Sequence, residues 1–183
     1  MKKVLPFFSY LFHPIFISIL GTLFFLIFDE SYITRNQQLA VFIQVFIVTF
    51  LLPIAFFYLL KTFGKIDSVM LSDISQRKIP LLLQIMLLSV LIIRSIAHDT
   101  FPELHFFFFG GLLSAILAFL FLYLKIKTSI HMIGMSALTS FLIGLSYHNQ
   151  VNIINTIVFF VIMTGVVASS RLVMQAHTRK ELL

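Results

Sequence analysis

The chain has no cysteine and no tryptophan, and only 11% of its 183 residues are charged. Without cysteine these residues can form no disulfide, no thiolate metal site and no cysteine nucleophile. Soluble domains contain about 25% charged and roughly 45–50% apolar residues, whereas 60% of this chain is hydrophobic. The composition therefore excludes a soluble globular domain and indicates an integral membrane protein.

Acidic residues are also scarce, and the formal net charge is +6. In a membrane protein an excess of Lys and Arg usually marks the cytoplasmic loops. We therefore do not interpret this charge as a nucleic-acid-binding surface, and we predict no nucleic-acid partner. The sequence shows no carboxylate cluster of the kind that holds Mg²⁺, and we predict no metal and no other cofactor.

Six hydrophobic segments approach the length of about 20 residues that one helix needs to cross a bilayer. They are residues 5–28, 39–60, 79–97, 106–124, 132–147 and 151–168. The first is interpreted as a retained helix rather than a signal peptide. Because the connections are short, the sequence predicts an all-α integral membrane protein, a six-transmembrane-helix bundle of helical hairpins in one domain over residues 1–183. Pro80 is expected in the first turn of the third helix, and Pro53 is expected to kink the second.

The cations are distributed unevenly between the two predicted sides of the membrane. Eleven Lys and Arg residues lie on the side of the two termini, and two, Arg35 and Arg94, lie on the other. The positive-inside rule then places both termini in the cytoplasm. We interpret the chain as a multi-pass protein of the bacterial inner (plasma) membrane.

Three polar clusters occur at helix ends on the side of the termini. They are Ser75-Gln76-Arg77-Lys78-Ile79-Pro80, Lys127-Thr128-Ser129-Ile130-His131, and the stretch from Ser170 to Glu181. Consecutive clusters are separated by a helical hairpin, and an even number of crossings returns the chain to the same face. Since polar side chains at membrane depth are costly, we expect the three clusters to meet at one membrane surface.

The third cluster resembles a motif of the type 2 phosphatidic acid phosphatase superfamily, S-R-x5-H-x3-D. Ser170, Arg171 and His177 match it at the right spacing, and Glu181 stands in place of the aspartate. In the other two motifs of that family, K-x6-R-P and P-S-G-H, the match is partial.

For the P-S-G-H motif the chain has Ser129 and His131, while a threonine and an isoleucine replace the proline and the glycine. For the K-x6-R-P motif, Arg77 and Pro80 are present but not adjacent, and Met70 stands at the lysine position. The order and wide separation of the motifs also agree, so the resemblance covers residues 77–181.

The resemblance implies a metal-independent phosphoric monoester or diphosphate hydrolase. His177 would attack phosphorus and form a phosphohistidine, Glu181 would hold its imidazole, and His131 would protonate the leaving group. The phosphoryl oxygens would be bound by Arg77, Lys78, Ser129, Ser170 and Arg171. The substrate would be amphiphilic, of the polyprenyl diphosphate, phosphatidic acid or phosphatidylglycerol phosphate class. The sequence does not distinguish these three classes, and it does not indicate an oligomeric state.

This hypothesis makes a geometric prediction about the sixth helix. Arg171 and His177 are six residues apart, which is about 240° around a continuous helix. Side chains so placed do not face one phosphate group. The helix must therefore end or bend between Arg171 and His177.

Several of these residues also have a structural interpretation. Arg171, Arg179 and Lys180 are suited to anchor a helix end among lipid headgroups, and residues 75–78 can be a basic loop. On the opposite side, we interpret His98, Asp99, Glu103 and His105 as a solvated loop rather than a metal site, and His13 and His148 as helix-end residues. Small residues at four-residue spacing, among them Gly110, Ala118, Gly144 and Gly165, favour close packing of the last three helices.

Two functions of different classes remain open at this point. The first is a membrane phosphatase of lipid phosphates or diphosphates. The second is a non-catalytic membrane protein of the same architecture that binds an anionic headgroup or acts as a subunit of a membrane complex, which the imperfect first and second motifs favour. A small transporter is weaker, because no acidic residue lies deep in a helix.

Overall fold

The computed structural model describes residues 4–28, 33–66 and 74–182, and the regular structure in these ranges is helical. Lys2 and Lys3, which enter the topology prediction, lie outside the described residues. The helices are α1 (Leu5–Leu11), α2 (Pro14–Phe28), α3 (Arg35–Phe46), α4 (Leu52–Thr62), α5 (Ile74–Arg94), α6 (Pro102–Tyr123), α7 (Ile130–His148), α8 (Ile154–Val173) and α9 (Arg179–Leu182).

Five stretches of helix in the described ranges are long and apolar enough to cross a bilayer. They are Arg35–Thr62, which joins α3 to α4, and Gln76–Arg94, Pro102–Tyr123, Ile130–His148 and Ile154–Val173. The pair α1 and α2 is bent by 60° and forms a sixth span if it is counted as one. The described residues thus form an all-helical, multi-pass membrane bundle with five or six candidate spans.

Pro80 and Pro53 occupy positions in their helices that differ from the predicted ones. Pro80 lies inside its helix rather than in the first turn, because α5 begins at Ile74 and includes the polar residues that precede the hydrophobic segment. Pro53 follows a π-helical turn at Ile47–Leu51, and Arg35–Thr62 remains one span. A π-helical turn changes which carbonyl each N–H reaches; this one lies just before Pro53, and the kink predicted at Pro53 stays a prediction.

Some helices pack against their neighbours in the chain, and others pack against helices far away in the sequence. α5 lies along α6, α7 packs against both α2 and α8, and α1 lies against α8. At the end of the bundle away from the chain termini the core is apolar, and Phe25, Leu91, Ile96, Leu104 and Phe108 are nearly inaccessible to solvent.

The predicted close packing through small residues is correct for Ala118, which is buried, and wrong for Gly110, Gly144 and Gly165. A Cβ atom added at any of these three glycines meets no heavy atom within 4 Å. Between α6 and α7 the rings of Phe107 and Phe141 lie with their centroids 4.5 Å apart. We attribute the open space beside Gly110 and Gly144 to these two rings, which lie between α6 and α7.

Candidate active site

One cavity of about 440 Å³ lies among the helices near the side of the three polar clusters. Most of its lining is apolar and comes from α2, α4, α5, α6 and α7. Its basic lining residues are His13, Arg77, His131, Arg171 and His177. The structure therefore brings residues from all three polar clusters to one cavity, which we call the site cavity.

The end of α8 turns the chain so that His177 faces the same cavity as Arg171. Two hydrogen bonds terminate the helix at its C-terminal end. Ala176 N–H donates to the Arg171 carbonyl (3.1 Å), and Gln175 N–H donates to the Leu172 carbonyl (3.0 Å). Gln175 has a φ of +53°, as the residue after a helix C-cap has in the Schellman motif. The prediction that the helix ends between Arg171 and His177 is confirmed.

The short α9 fixes the imidazole of His177. Glu181 is the third residue of α9, and its Oε2 accepts a hydrogen bond from Thr178 N–H (3.1 Å), which is half of a capping box. The same Oε2 lies 3.2 Å from His177 Nδ1. Because a carboxylate accepts, Nδ1 carries the proton, and Nε2 keeps its lone pair. The Glu181 carbonyl also accepts from Ser129 N–H (3.2 Å), which ties α9 to the start of α7.

His131 lies in the first turn of α7 and is buried. Its Nε2 is 3.1 Å from the carbonyl oxygen of Ser9 in α1. A carbonyl only accepts, so Nε2 donates, and Nδ1 is the ring atom left to exchange a proton. The Ser9 hydroxyl meets the Ser170 hydroxyl at 2.6 Å, and this contact holds α1 against α8.

Arg77 and Arg171 give the site cavity its charge. Both side chains are buried, and Arg77 Nη1 donates to the Thr128 carbonyl (3.1 Å). None of the described residues that line this cavity is acidic. Two buried guanidinium groups in one cavity repel each other and lose hydration, and a bound phosphate relieves both costs through charge-assisted hydrogen bonds.

The surroundings of His177 favour its neutral form. Burial lowers the pKa of His177 to about 4, and the positive charges of Arg77, Arg171 and Lys127 act in the same direction. The hydrogen bond from His177 to Glu181 partly opposes them, because it stabilises the imidazolium. Above about pH 4 the imidazole is therefore neutral, which is the form that can attack phosphorus.

Three predicted phosphate ligands do not reach the site cavity. Lys78 follows Arg77 on α5 and so points about 100° away; it is exposed, and its Nζ lies 5.3 Å from the ring centroid of Tyr123. The hydroxyl of Ser170 contacts Ser9 instead. Ser129 is buried at the start of α7, where its N–H rather than its hydroxyl makes a contact.

Two residues of the site were missed by sequence reasoning. His13 lines the site cavity, and its ring lies edge-on to that of His131, with centroids 5.2 Å apart. Ser9, one helical turn earlier, accepts from His131. Pro14 was the available signal, because a residue before proline is disfavoured in helical conformation. It marks a break that turns α1 toward α8.

The polar residues at the opposite end form no comparable site. His98 and Asp99 are exposed, as predicted for a solvated loop, and Glu103 pairs with His148. His105 is partly buried and bonds to the Ile96 carbonyl at 2.8 Å. In the described part of the chain no group of three or more His, Asp or Glu side chains is arranged to hold a metal ion.

No family model, no curated protein and no solved structure matches this chain. The chemistry of the site cavity is therefore the basis for assigning a function.

Proposed function

We propose that this protein is a membrane phosphatase that hydrolyses amphiphilic phosphates or diphosphates through a phosphohistidine on His177. The observation that carries the proposal is the site cavity itself. It combines Arg77 and Arg171, a neutral imidazole fixed by Glu181, and a second imidazole at His131. The resemblance of the three clusters to the phosphatase motifs supports the same chemistry.

In the first step the lone pair of His177 Nε2 attacks phosphorus, and the bond from phosphorus to the bridging oxygen breaks. The proton on Nδ1 stays in its hydrogen bond to Glu181, so the carboxylate stabilises the positive charge that develops on the ring. The negative charge of the bound phosphate favours protonation of His131 on both nitrogens, and His131 then gives its Nδ1 proton to the leaving alkoxide or phosphate. Its Nε2–H stays on the Ser9 carbonyl, which keeps the ring in place.

In the second step water attacks the phosphohistidine. His131 Nδ1 takes a proton from the water, the P–N bond breaks, and inorganic phosphate leaves with His177 neutral again. The guanidinium groups of Arg77 and Arg171 bind the phosphoryl oxygens in both steps, where their fixed donors stabilise negative charge in a desolvated cavity. Proton transfer by a positioned group such as His131 typically contributes about 10²–10⁴-fold.

The test uses purified protein in detergent and a short-chain alkyl phosphate. We expect release of inorganic phosphate, and a ³²P-labelled protein intermediate that is labile in acid and stable in base. His177→Ala should abolish both, with a loss on the order of 10³-fold or more. His98→Ala is the matched control, because this imidazole is exposed at the other end of the bundle. Activity that survives in folded His177→Ala protein contradicts the assigned nucleophile.

The non-catalytic alternative is favoured by one observation: Lys78, Ser129 and Ser170 supply no side-chain donor to the site cavity. In that case the protein binds an anionic headgroup without cleaving it. Calorimetric titration with the same alkyl phosphate separates the two functions. Binding that needs Arg171, without phosphate release or a labelled intermediate, supports the alternative.

A further inference from the structure

His13 occupies the break between α1 and α2, and its imidazole lines the site cavity. The residue lies outside residues 77–181, which carry the motif resemblance, and the mechanism proposed above gives it no role. Pro14 is the first residue of α2, where its missing N–H costs nothing, so His13 is the last residue before the helix. The fold thus brings a third imidazole to the site cavity, beside those of His131 and His177.

The backbone of α2 fixes the tautomer of His13. Ile15 N–H donates to His13 Nδ1 at 3.3 Å, as an N–H in the first turn of a helix does to a capping side chain. A ring nitrogen that accepts carries no proton, so the neutral ring has its proton on Nε2. In the described part of the chain no nitrogen or oxygen atom accepts from this Nε2–H. It is therefore the donor that His13 offers to a ligand.

His13 lies on the side of the site cavity where the leaving group departs. Its ring is edge-on to that of His131, with centroids 5.2 Å apart, and His131 protonates the leaving oxygen in the proposed mechanism. Since attacking and leaving groups are roughly in line at phosphorus, that oxygen lies opposite to His177 Nε2. A hydrogen bond from His131 to it spans about 2.7–3.0 Å. The group bonded beyond the leaving oxygen is then close to His13.

Monoesters and diphosphates differ in what is bonded to the leaving oxygen. In a phosphate monoester this is a carbon atom, which accepts no hydrogen bond. In an alkyl diphosphate it is a second phosphorus, whose anionic oxygens accept strongly from N–H donors. A donor beside His131 thus contacts the second kind of substrate and not the first.

The charges of the site cavity agree with a ligand that carries two phosphates. Arg77 and Arg171 line the cavity, and the described residues of its lining include no carboxylate. In the proposed mechanism both guanidinium groups bind the phosphoryl group that is transferred. The leaving-side phosphate is then left with the imidazoles of His131 and His13 as its donors.

We infer that His13 is a specificity-determining residue that donates its Nε2–H to the leaving-side phosphate of an alkyl diphosphate. The inference rests on the proposed function for the positions of nucleophile and leaving group. The bond between the terminal phosphorus and the bridging oxygen breaks, and its electron pair stays on that oxygen, which takes the Nδ1 proton of His131. His13 transfers no proton, and its hydrogen bond stabilises the charge of the departing alkyl phosphate. The site therefore prefers diphosphates to monoesters that carry the same tail.

The test compares octyl diphosphate with octyl phosphate, which share one tail and differ by the leaving-side phosphate. His13→Phe keeps a ring against His131 but has no ring nitrogen. We expect its kcat/KM for the diphosphate to fall about 10- to 100-fold, as for one lost hydrogen bond to a charged group. Its kcat/KM for the monoester should be unchanged. Initial rates of inorganic phosphate release in detergent measure both.

Two further variants separate the Nε2 donor from the helix cap and from the ring. His13→Asn keeps an oxygen that accepts from Ile15 N–H but is too short to reach the position of Nε2, so it should reproduce the loss. His13→Gln places an amide N–H near that position and should restore much of the preference for the diphosphate. His98→Phe is the matched control, because the ring of His98 is also edge-on to a histidine, His105, with centroids 5.5 Å apart. It should leave both rates unchanged.

A binding measurement does not depend on catalysis. Octyl methylenediphosphonate has a CH₂ group in place of the bridging oxygen and is not hydrolysed there, and octylphosphonate is its counterpart with one phosphorus. Calorimetric titration should show that wild-type protein binds the diphosphonate more tightly. In His13→Phe we expect the affinity for the diphosphonate to fall on the order of tenfold, while the affinity for the monophosphonate is retained.

The outcomes distinguish this inference from the phosphatase proposal. If wild-type protein cleaves neither ester, the phosphatase proposal fails, while a preference for the diphosphonate that His13→Phe removes still supports the contact. An equal loss with both esters in His13→Phe, or a loss that His13→Gln leaves unrestored, overturns the donor role of His13. Diphosphonate binding that is the same in wild-type protein and His13→Phe also overturns it.

Discussion

The two ends of the bundle each hold a histidine–glutamate pair at nearly the same distance. His177 Nδ1 lies 3.2 Å from Glu181, and His148 Nε2 lies 3.1 Å from Glu103. Their surroundings differ: the side chain of His177 is 1% exposed, whereas that of His148 is 68% exposed. The distance between histidine and glutamate therefore does not distinguish a catalytic pair from a structural one. Burial of the imidazole beside other charged groups determines whether it can act as a nucleophile.

The pairs also differ in how they are built. Glu181 belongs to the same turn of chain as His177 and caps α9 with the oxygen that holds the imidazole. Glu103 and His148 come from two helices and meet at the membrane surface. The first pair fixes the tautomer of a buried group, while a contact at the protein surface such as the second typically contributes about 0–1 kcal/mol.

The strongest contrast is expected between the two ends of α7. His131→Gln should lower kcat for a short-chain alkyl phosphate by roughly 10²–10⁴-fold, because glutamine does not exchange protons with the leaving group or water. His148→Gln, on the same helix, should leave kcat unchanged. Phosphate release at saturating substrate measures both. Similar rates for the two variants would remove His131 from the mechanism.

A smaller effect is expected when each pair loses its carboxylate. Glu181→Gln keeps the shape but loses the charge that stabilises the His177 imidazolium, so kcat/KM should fall about 10- to 100-fold, as for a lost charged hydrogen bond of roughly 1.5–3 kcal/mol. Glu103→Gln should leave kcat/KM unchanged and shift the free energy of unfolding by less than about 1 kcal/mol. Phosphate release and thermal unfolding in detergent are the measurements. Glu181 has no role in catalysis if its variant retains the wild-type rate.

The smallest effect is expected in the pH profile. Lys127 helps to lower the pKa of His177, so Lys127→Gln should raise that pKa from about 4 toward the ordinary 6.5. The nucleophile is then protonated at higher pH, and the acid limb of kcat/KM, which reports the free enzyme, moves upward. Lys125→Gln is the control, because Lys125 is exposed and is not among the charges that act on His177. Equal displacement of the acid limb in both variants would point to net charge rather than to the local field at His177.

Much of the helical architecture follows from the composition and from the hydrophobic segments, which predict helices close to those observed. The end of α8 was predictable too, although the sequence offers no glycine there. That prediction came from the angular separation of Arg171 and His177 and not from a capping signal.

Other features could not be obtained from local sequence. The neighbours of Lys78 and Ser170 depend on which face each helix presents, and a motif match does not contain that information. The role of Ser9 and His13 depends on the bend between α1 and α2, which lays α1 against α8. The gap beside Gly144 depends on the aromatic rings of Phe107 and Phe141 between the two helices.

The sequence alone determined that this chain lies in a membrane, that it is helical, and that its polar clusters share one side, because bilayer thickness and the cost of buried polar groups act on every segment separately. Only the tertiary structure decided which members of those clusters share a cavity and which point elsewhere. The physical reason is that helix rotation, a bend at Pro14 and the turn after α8 are set by packing between distant segments.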